Sequence, residues 1–174
     1  LDRVPPLAPV DVDHVIRREL GAAPGEVFAR FDPVPLASAS IAQVHAATLH
    51  DGTDVVVKVQ RRGIRARLAA DLSILAGAAH LLERRSARAR MANPVAVVED
   101  FSATLAHELN FVLEAQAMER FADNLKTFGE NSGVRVPAVH WRYTTPRVLT
   151  MEQIHGHSID DTEALRATGF DLAE

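Results

Sequence analysis

The stretch from Ile41 to Gln60 constrains the fold more than any other part of the chain. Ile41–Leu49 and Asp54–Gln60 are β-rich runs separated by His50-Asp51-Gly52-Thr53. An Asp-Gly pair between two such runs is a strong hairpin signal, because it supplies the positive φ that a tight reversal needs. The spacing therefore predicts two adjacent antiparallel strands. Along the second strand, alternation places Val55, Val57 and Val59 on one face and Val56, Lys58 and Gln60 on the other. Lys58 thus sits mid-strand among valines, where a charge is costly unless it has a partner.

The surrounding sequence supplies helices and further strands. Leu1 to Val10, with Pro5, Pro6 and Pro9, reads as an extended lead-in. Asp11 reads as the N-cap of a short helix through Val12, Val15, Ile16 and Leu20, with Gly21 as its left-handed stop. Pro24 to Phe28 predicts a small helix or turn, and Phe31, Val34 and Leu36 a strand. From Ile64 to Arg85, Leu68, Leu72, Leu75, Ala79 and Leu82 recur with a 3.6-residue rhythm. Asn93-Pro94 is a helix start, and Val95 to Leu125, free of Gly and Pro, predicts one long helix. A turn over Gly129–Gly133 follows. Val134–His140 and Arg147–Ile154 then read as strands joined through Thr144-Thr145-Pro146, and a helix begins near Asp160. The order ααβββααββα, without a βαβ repeat, specifies an α+β fold with an antiparallel sheet.

Composition narrows the function classes. The 174 residues are 47% hydrophobic and 24% charged, enough to fold as one domain or lobe. The absence of Cys excludes disulfides, Cys-based zinc sites and thiol nucleophiles. A net charge of 19 − 23 = −4 offers no basic field for nucleic acid. No apolar run approaches the roughly 18 residues that would span a bilayer, and no signal peptide opens the chain, so a cytoplasmic protein is expected. Starting at Leu1 without Met and stopping at Glu174 inside a new segment, the chain reads as a piece of a longer protein. Of its 19 basic residues 17 are Arg; the exceptions are Lys58 and Lys126. A lysine surviving such a bias marks a place for a compact point charge rather than a planar fork.

Four features fall in one order. Pro35 to Val44 is a loop of small residues whose backbone N–H groups can approach an anion. Lys58 follows in the strand where kinase-like folds carry their phosphate-gripping lysine. Glu108 and Glu114 come next; on one continuous helix they would diverge by about 120°, so each needs its own partner. Glu114, beside Phe111, Val112 and Ala115, is the one matched to Lys58, whereas Glu119 reads as a solvated helix glutamate. Last is the apolar strand Arg147–Glu152, running into the polar turn Gly156-His157-Ser158, where His155 and His157 read as solvated.

In this order and spacing the chain resembles the UbiB/ADCK family of atypical, protein-kinase-like proteins. Pro35-Leu-Ala-Ser-Ala-Ser-Ile-Ala-Gln-Val-His45 is similar to the family's alanine-rich substitute for a kinase glycine-rich loop, and Val57-Lys58-Val59-Gln60-Arg61 to its lysine strand. Glu108-Leu109-Asn110-Phe111 through Glu114-Ala115 resembles its ExD segment followed by the αC glutamate, and Val148–Gly156 its hinge phrase. Asn110 stands where the family often has Asp, Ala117 replaces an Asn, and Arg62 a Pro.

The resemblance implies a kinase-like N-lobe: residues 1–34 as an N-terminal extension leading into the first strand, 35–154 as the lobe proper, and 155–174 as the hinge and the start of a C-lobe. It implies ATP or ADP with Mg as ligand, the KxGQ segment preceding the chain, and the catalytic and metal-binding residues following it. Lys58 would hold the phosphates and Glu114 would orient Lys58. Ala37, Ser38, Ala39, Ser40, Ile41, Ala42 and Gln43 would cover the phosphates, and Met151 and Glu152 would meet adenine. No metal ligand is assigned within the chain, and this portion alone is expected to be inactive. The intact protein would serve isoprenoid quinone biosynthesis or lipid homeostasis as an atypical kinase or ATPase, cytoplasmic or peripheral at a membrane, with membrane lipid or quinone-pathway proteins as partners. The rival class is a nucleotide-gated pseudoenzyme or binding module without phosphotransfer.

Overall fold

A computed structural model describes residues 7–127, 133–156 and 162–168. Helix α1 (Pro9–Leu20) starts two residues before the expected cap: Pro9 takes the first helical position, where its missing N–H is no loss, and Asp11 lies in the first turn. Gly21 ends α1 at φ 84°, its N–H bonded to the Arg17 carbonyl, as the left-handed stop requires. After α2 (Pro24–Val27) the chain enters a four-stranded antiparallel meander, whose spatial order is the chain order. Its strands are β1 (Arg30–Ser38), β2 (Ala42–Thr48), β3 (Asp54–Gln60) and β4 (Val148–Glu152).

Between β3 and β4 run α3 (Ile64–Arg85), α4 (Ala87–Ala92), α5 (Pro94–Glu108) and α6 (Phe111–Thr127). Asn93 caps α5, its side chain accepting from the Ala96 N–H at 3.4 Å. The long helix expected over Val95–Leu125 is instead two, broken at Leu109-Asn110. Asn110 begins α6 as a cap does, its Oδ1 accepting from the Val112 N–H at 3.2 Å. A strand over Val134–His140 does not form; only Val139 bridges to Met151. Pro137 lacks the N–H a ladder needs, which confines this segment to irregular edge contacts. The turn expected at Gly129–Gly133 lies almost wholly outside the described residues, as does Asp160; α7 (Thr162–Ala167) follows.

The two sheet faces are packed differently. Val55, Val57 and Val59, all fully buried, form a core with Val12, Val15, Ile16, Phe28 and Val148, so α1 and α2 seal that face. On the other face Ala42 and Leu149 pack against Phe111 and Ala115 of α6. The stripe read along α3 is only partly used: Ala79 is buried, whereas Leu75 and Leu82 remain half-exposed.

Candidate nucleotide-binding site

Lys58 lies in the middle of β3, opposite Val44 of β2 and Leu149 of β4. Directly opposed residues share a face, so Ala42, Val44, Ala46, Val56, Lys58, Leu149 and Met151 look the same way. Lys58 Nζ donates to both carboxylate oxygens of Glu114 at 2.8 Å and stands 4.7 Å from the centre of the Phe111 ring. The side chains are 23% and 39% exposed, so the pair is reachable from solvent. An ion pair half in water holds a lysine in place while leaving its ammonium available to an anion.

What aims Glu114 is the break between α5 and α6. The Leu109 carbonyl, which a continuous helix would bond internally, accepts instead from Gln60 Nε2 at 2.8 Å and from Arg65 Nη2. Arg65 Nε holds the Gln60 amide oxygen at 3.0 Å, and the Phe111 N–H bonds the Pro146 carbonyl at 3.2 Å. The end of β3, the start of α3 and the approach to β4 thereby fix where α6 begins. One turn on, Glu114 reaches Lys58. Because Glu108 and Glu114 belong to different helices, the single-helix angle between them does not apply. Glu108 is exposed, as its assignment away from Lys58 requires.

The small-residue phrase divides among three elements. Ala37 and Ser38 end β1, Ser40 and Ile41 lie in the turn with Ala39, and Ala42 and Gln43 begin β2. The turn is tight, its Ala39 N–H bonded to the Ala42 carbonyl at 2.8 Å. Arg61 clamps it: Nε donates to the Ala39 carbonyl at 2.9 Å, Nη2 to Ser38 Oγ at 2.8 Å, and its backbone N–H to the Ile41 carbonyl at 2.8 Å. Gln43 opposes Val59 and is fully buried on the sealed face, away from Lys58.

Met151 shares the Lys58 face and packs beside Leu149 and Phe111. Glu152 points the other way, its carboxylate paired with Arg135 and accepting from the Ala138 N–H at 3.3 Å. Its own N–H is bonded to the Ala138 carbonyl, and that of Gln153 to Asp54. Glu119, read as simply solvated, accepts a hydrogen bond from the Trp141 indole. Among the described residues no three His, Asp or Glu side chains converge to hold a metal ion, and no helix is long and apolar enough to cross a membrane.

Sequence reasoning placed Val56 and Gln60 on the Lys58 face and Val44 in the small-residue phrase without giving them a role, and it missed Arg65. The alternation that placed Lys58 also places Val44 and Val56 beside it as an apolar ceiling, so that signal was available. The Asn110 cap was a signal for the helix break, whereas the grip of Gln60 and Arg65 on Leu109 is a tertiary contact with no local signature.

Comparison with known proteins agrees with this geometry. The protein Rv0647c of Mycobacterium tuberculosis is 50% identical over all 174 residues. The probable protein kinase UbiB of Pseudomonas putida is 44% identical over 171 residues. The chain spans about a third of the length of these relatives, 36% and 31% respectively. A solved structure of Rv3197 from M. tuberculosis in complex with erythromycin superposes with a TM-score of 0.76 at 32% identity, covering 90% of this chain and 38% of that one. The model of the ABC1 atypical kinase-like domain matches residues 1–174, and its antiparallel sheet with a lysine–glutamate pair to α6 is that of a kinase-like N-lobe: the chain belongs to the ABC1 atypical kinase-like family, together with UbiB.

Proposed function

We propose that this lobe binds an adenine nucleotide, ATP or ADP, on the Lys58 face of its sheet, as part of an atypical kinase or ATPase. The observation that carries the reading is the bidentate, half-exposed Lys58–Glu114 pair. A lysine ammonium offers three donors; two oxygens of Glu114 fix its direction, and the solvent side is left for α- and β-phosphate oxygens. Phe111 supports the ammonium from beneath. Val44, Val56 and Met151 supply an apolar surface for a purine ring. The turn Ala39–Ile41 with Ala37 and Ser38 covers the phosphate end. Gln43, buried on the sealed face, does not cover the phosphates, and Glu152 holds the strand's outer side through Arg135. Magnesium supplies charge neutralisation of the phosphates when bound, through residues outside this chain. A role in isoprenoid quinone biosynthesis or membrane lipid homeostasis follows from kinship with UbiB.

Isolated from the catalytic and metal-binding segments, the lobe offers a few charge-assisted hydrogen bonds in a wet site. These are worth on the order of 1–3 kcal/mol each against an association cost of several kcal/mol. Binding of ATP by the 174 residues alone is therefore expected near millimolar, without hydrolysis. Calorimetric titration of this chain and of the full-length protein tests the reading. Metal-dependent, tighter binding in the full-length protein that is weakened by Lys58→Ala supports it; micromolar binding by the lobe alone, or no effect of Lys58→Ala, overturns it. A second reading, nucleotide-gated binding without phosphotransfer, draws support from the Arg61 clamp, which makes the covering turn short and stiff. Turnover by the full-length protein separates the two.

A further inference from the structure

Helix α3 packs mainly on α4 and α5 rather than on the sheet. At the helical rise its far end, Arg85, lies about 30 Å from Arg65, which anchors its start. This projecting end is a built turn. Glu83 Oε1 accepts from the Val95 N–H at 3.3 Å, tying α3 to α5. Ser86 Oγ accepts from the Ala89 N–H at 3.3 Å as the cap of α4, and Arg90 Nη1 donates to the Glu83 carbonyl at 3.4 Å.

The surface of this end joins exposed apolar side chains to unneutralised charge. Met91 is 89% exposed, and Leu81 and Leu82 are half-exposed. Ile74, two turns before Leu81 and so on the same side of α3, is exposed as well. Leu81–Met91 also carries Arg84, Arg85, Arg88 and Arg90 against a single acid, Glu83, in a chain whose net charge is −4. The nearest acids in sequence beyond it, Asp71 and Glu99, stand ten residues before and eight after. Arg84, Arg85 and Arg88 are exposed and have no hydrogen bond or ion pair among the described residues. The packing of the lobe uses neither these guanidinium groups nor Met91.

We propose that this end of the α3–α5 pair docks on an anionic lipid surface, independently of the nucleotide site. The arginines meet headgroup phosphates, which guanidinium forks match in geometry and charge. Met91, Leu81 and Leu82 enter the boundary between headgroups and acyl chains, where interfacial anchors place their apolar side chains. Nucleic acid would satisfy the charge but offers no place for these apolar side chains, and the net charge of −4 opposes its approach.

The test is flotation of the chain, and of the full-length protein, with phosphatidylcholine vesicles that contain or lack phosphatidylglycerol, at low ionic strength. Flotation of the chain is expected only with phosphatidylglycerol and should fall as salt is added. Arg84→Glu combined with Arg88→Glu is expected to lower partitioning about tenfold or more, and Met91→Ser severalfold. Arg30→Glu, the same charge change at the end of the sheet away from α3, leaves it within about twofold. Urea midpoints of these variants should stay at the unsubstituted value, which separates lost docking from lost folding. In the full-length protein the same dependence on Arg84 and Arg88 is expected. The proposal is overturned if phosphatidylglycerol gives no flotation, if Arg30→Glu weakens it as much as the double variant, if Met91→Ser leaves it unchanged, or if the arginine dependence vanishes in the full-length protein. Arg88-dependent capture of polyglutamate without flotation would overturn it too, assigning the arginines to an acidic polypeptide.

Discussion

The two faces of the four-stranded sheet share a backbone but not a task. On one, Val55, Val57 and Val59 are fully buried under α1 and α2. On the other, the alternating neighbours Val56, Lys58 and Val44 are only partly covered, and α6 touches the face mainly through Phe111, Ala115 and Glu114. The sealed face excludes water and carries stability. The open face keeps one charge half in water, held by a partner from a separate helix. A single-residue slip of β3 would exchange the two roles, placing Lys58 in the dry core. The interleaving of three valines with one lysine is therefore a register device as well as a site.

The comparison can be broken most sharply on the sealed side. Phe28 is fully buried and in ring contact with Phe31 and Tyr143 at centroid distances of 5.7 and 5.8 Å. Phe28→Ala is expected to cost about 3–5 kcal/mol in urea unfolding, a large part of the stability of a lobe this size. A loss below about 1 kcal/mol would show that α2 does not seal the sheet.

Arg65→Ala probes the connection between the halves. It removes a charged donor from the Leu109 carbonyl and from Gln60, so a stability loss of about 1–3 kcal/mol is expected. It should also weaken nucleotide binding by the full-length protein, because α6 loses an anchor that aims Glu114. Loss of stability with unchanged nucleotide affinity would reduce Arg65 to a structural contact.

Lys58→Ala should behave in the opposite way on the open face. Its partner is more than a third exposed, so the stability change is expected within about 1 kcal/mol. A change as large as that of Phe28→Ala would mean that the two faces are not divided as described.

The smallest effect expected is the pH response of His45. It is buried at 1% exposure on the sealed face, stacked on Phe31, with Nδ1 3.0 Å from the Asp32 carbonyl. Burial holds its pKa below the ordinary imidazole value, outweighing the raising effect of Asp32. The unfolded chain therefore takes up the proton first, near pH 6.5. Stability is full above that pH and declines as the pH falls from there through the lowered folded-state value. Urea midpoints between pH 7 and pH 5 should decline less steeply in His45→Gln; an unchanged slope would assign the decline to other groups.

How much of this was legible in the sequence depends on how local each signal is. The hairpin, both faces of β3, the bounds of α3 and the Asn93-Pro94 start are local patterns, and the structure follows them. The pairing of Lys58 with Glu114 was legible because each charge sits among apolar residues that make an unpartnered state costly. The helix break left one local trace, the capping Asn110, which was outweighed because apolar periodicity continues through Leu109 and the partners that hold its carbonyl, Gln60 and Arg65, lie more than 40 residues earlier in the chain. The small-residue phrase was readable as a loop only in part: β-pairing of Ala42 and Gln43 begins within it, and the alternation of β2 turns Gln43 inward.

The central claim is that Lys58 and Glu114 act on nucleotide as one unit. A double-mutant cycle of Lys58→Ala, Glu114→Ala and the double variant in the full-length protein, read by calorimetric titration with ATP and magnesium, tests it directly. The account predicts that each single substitution weakens binding and that the double variant is no worse than Lys58→Ala alone. Strictly additive losses, or nucleotide binding untouched by Lys58→Ala, would contradict it.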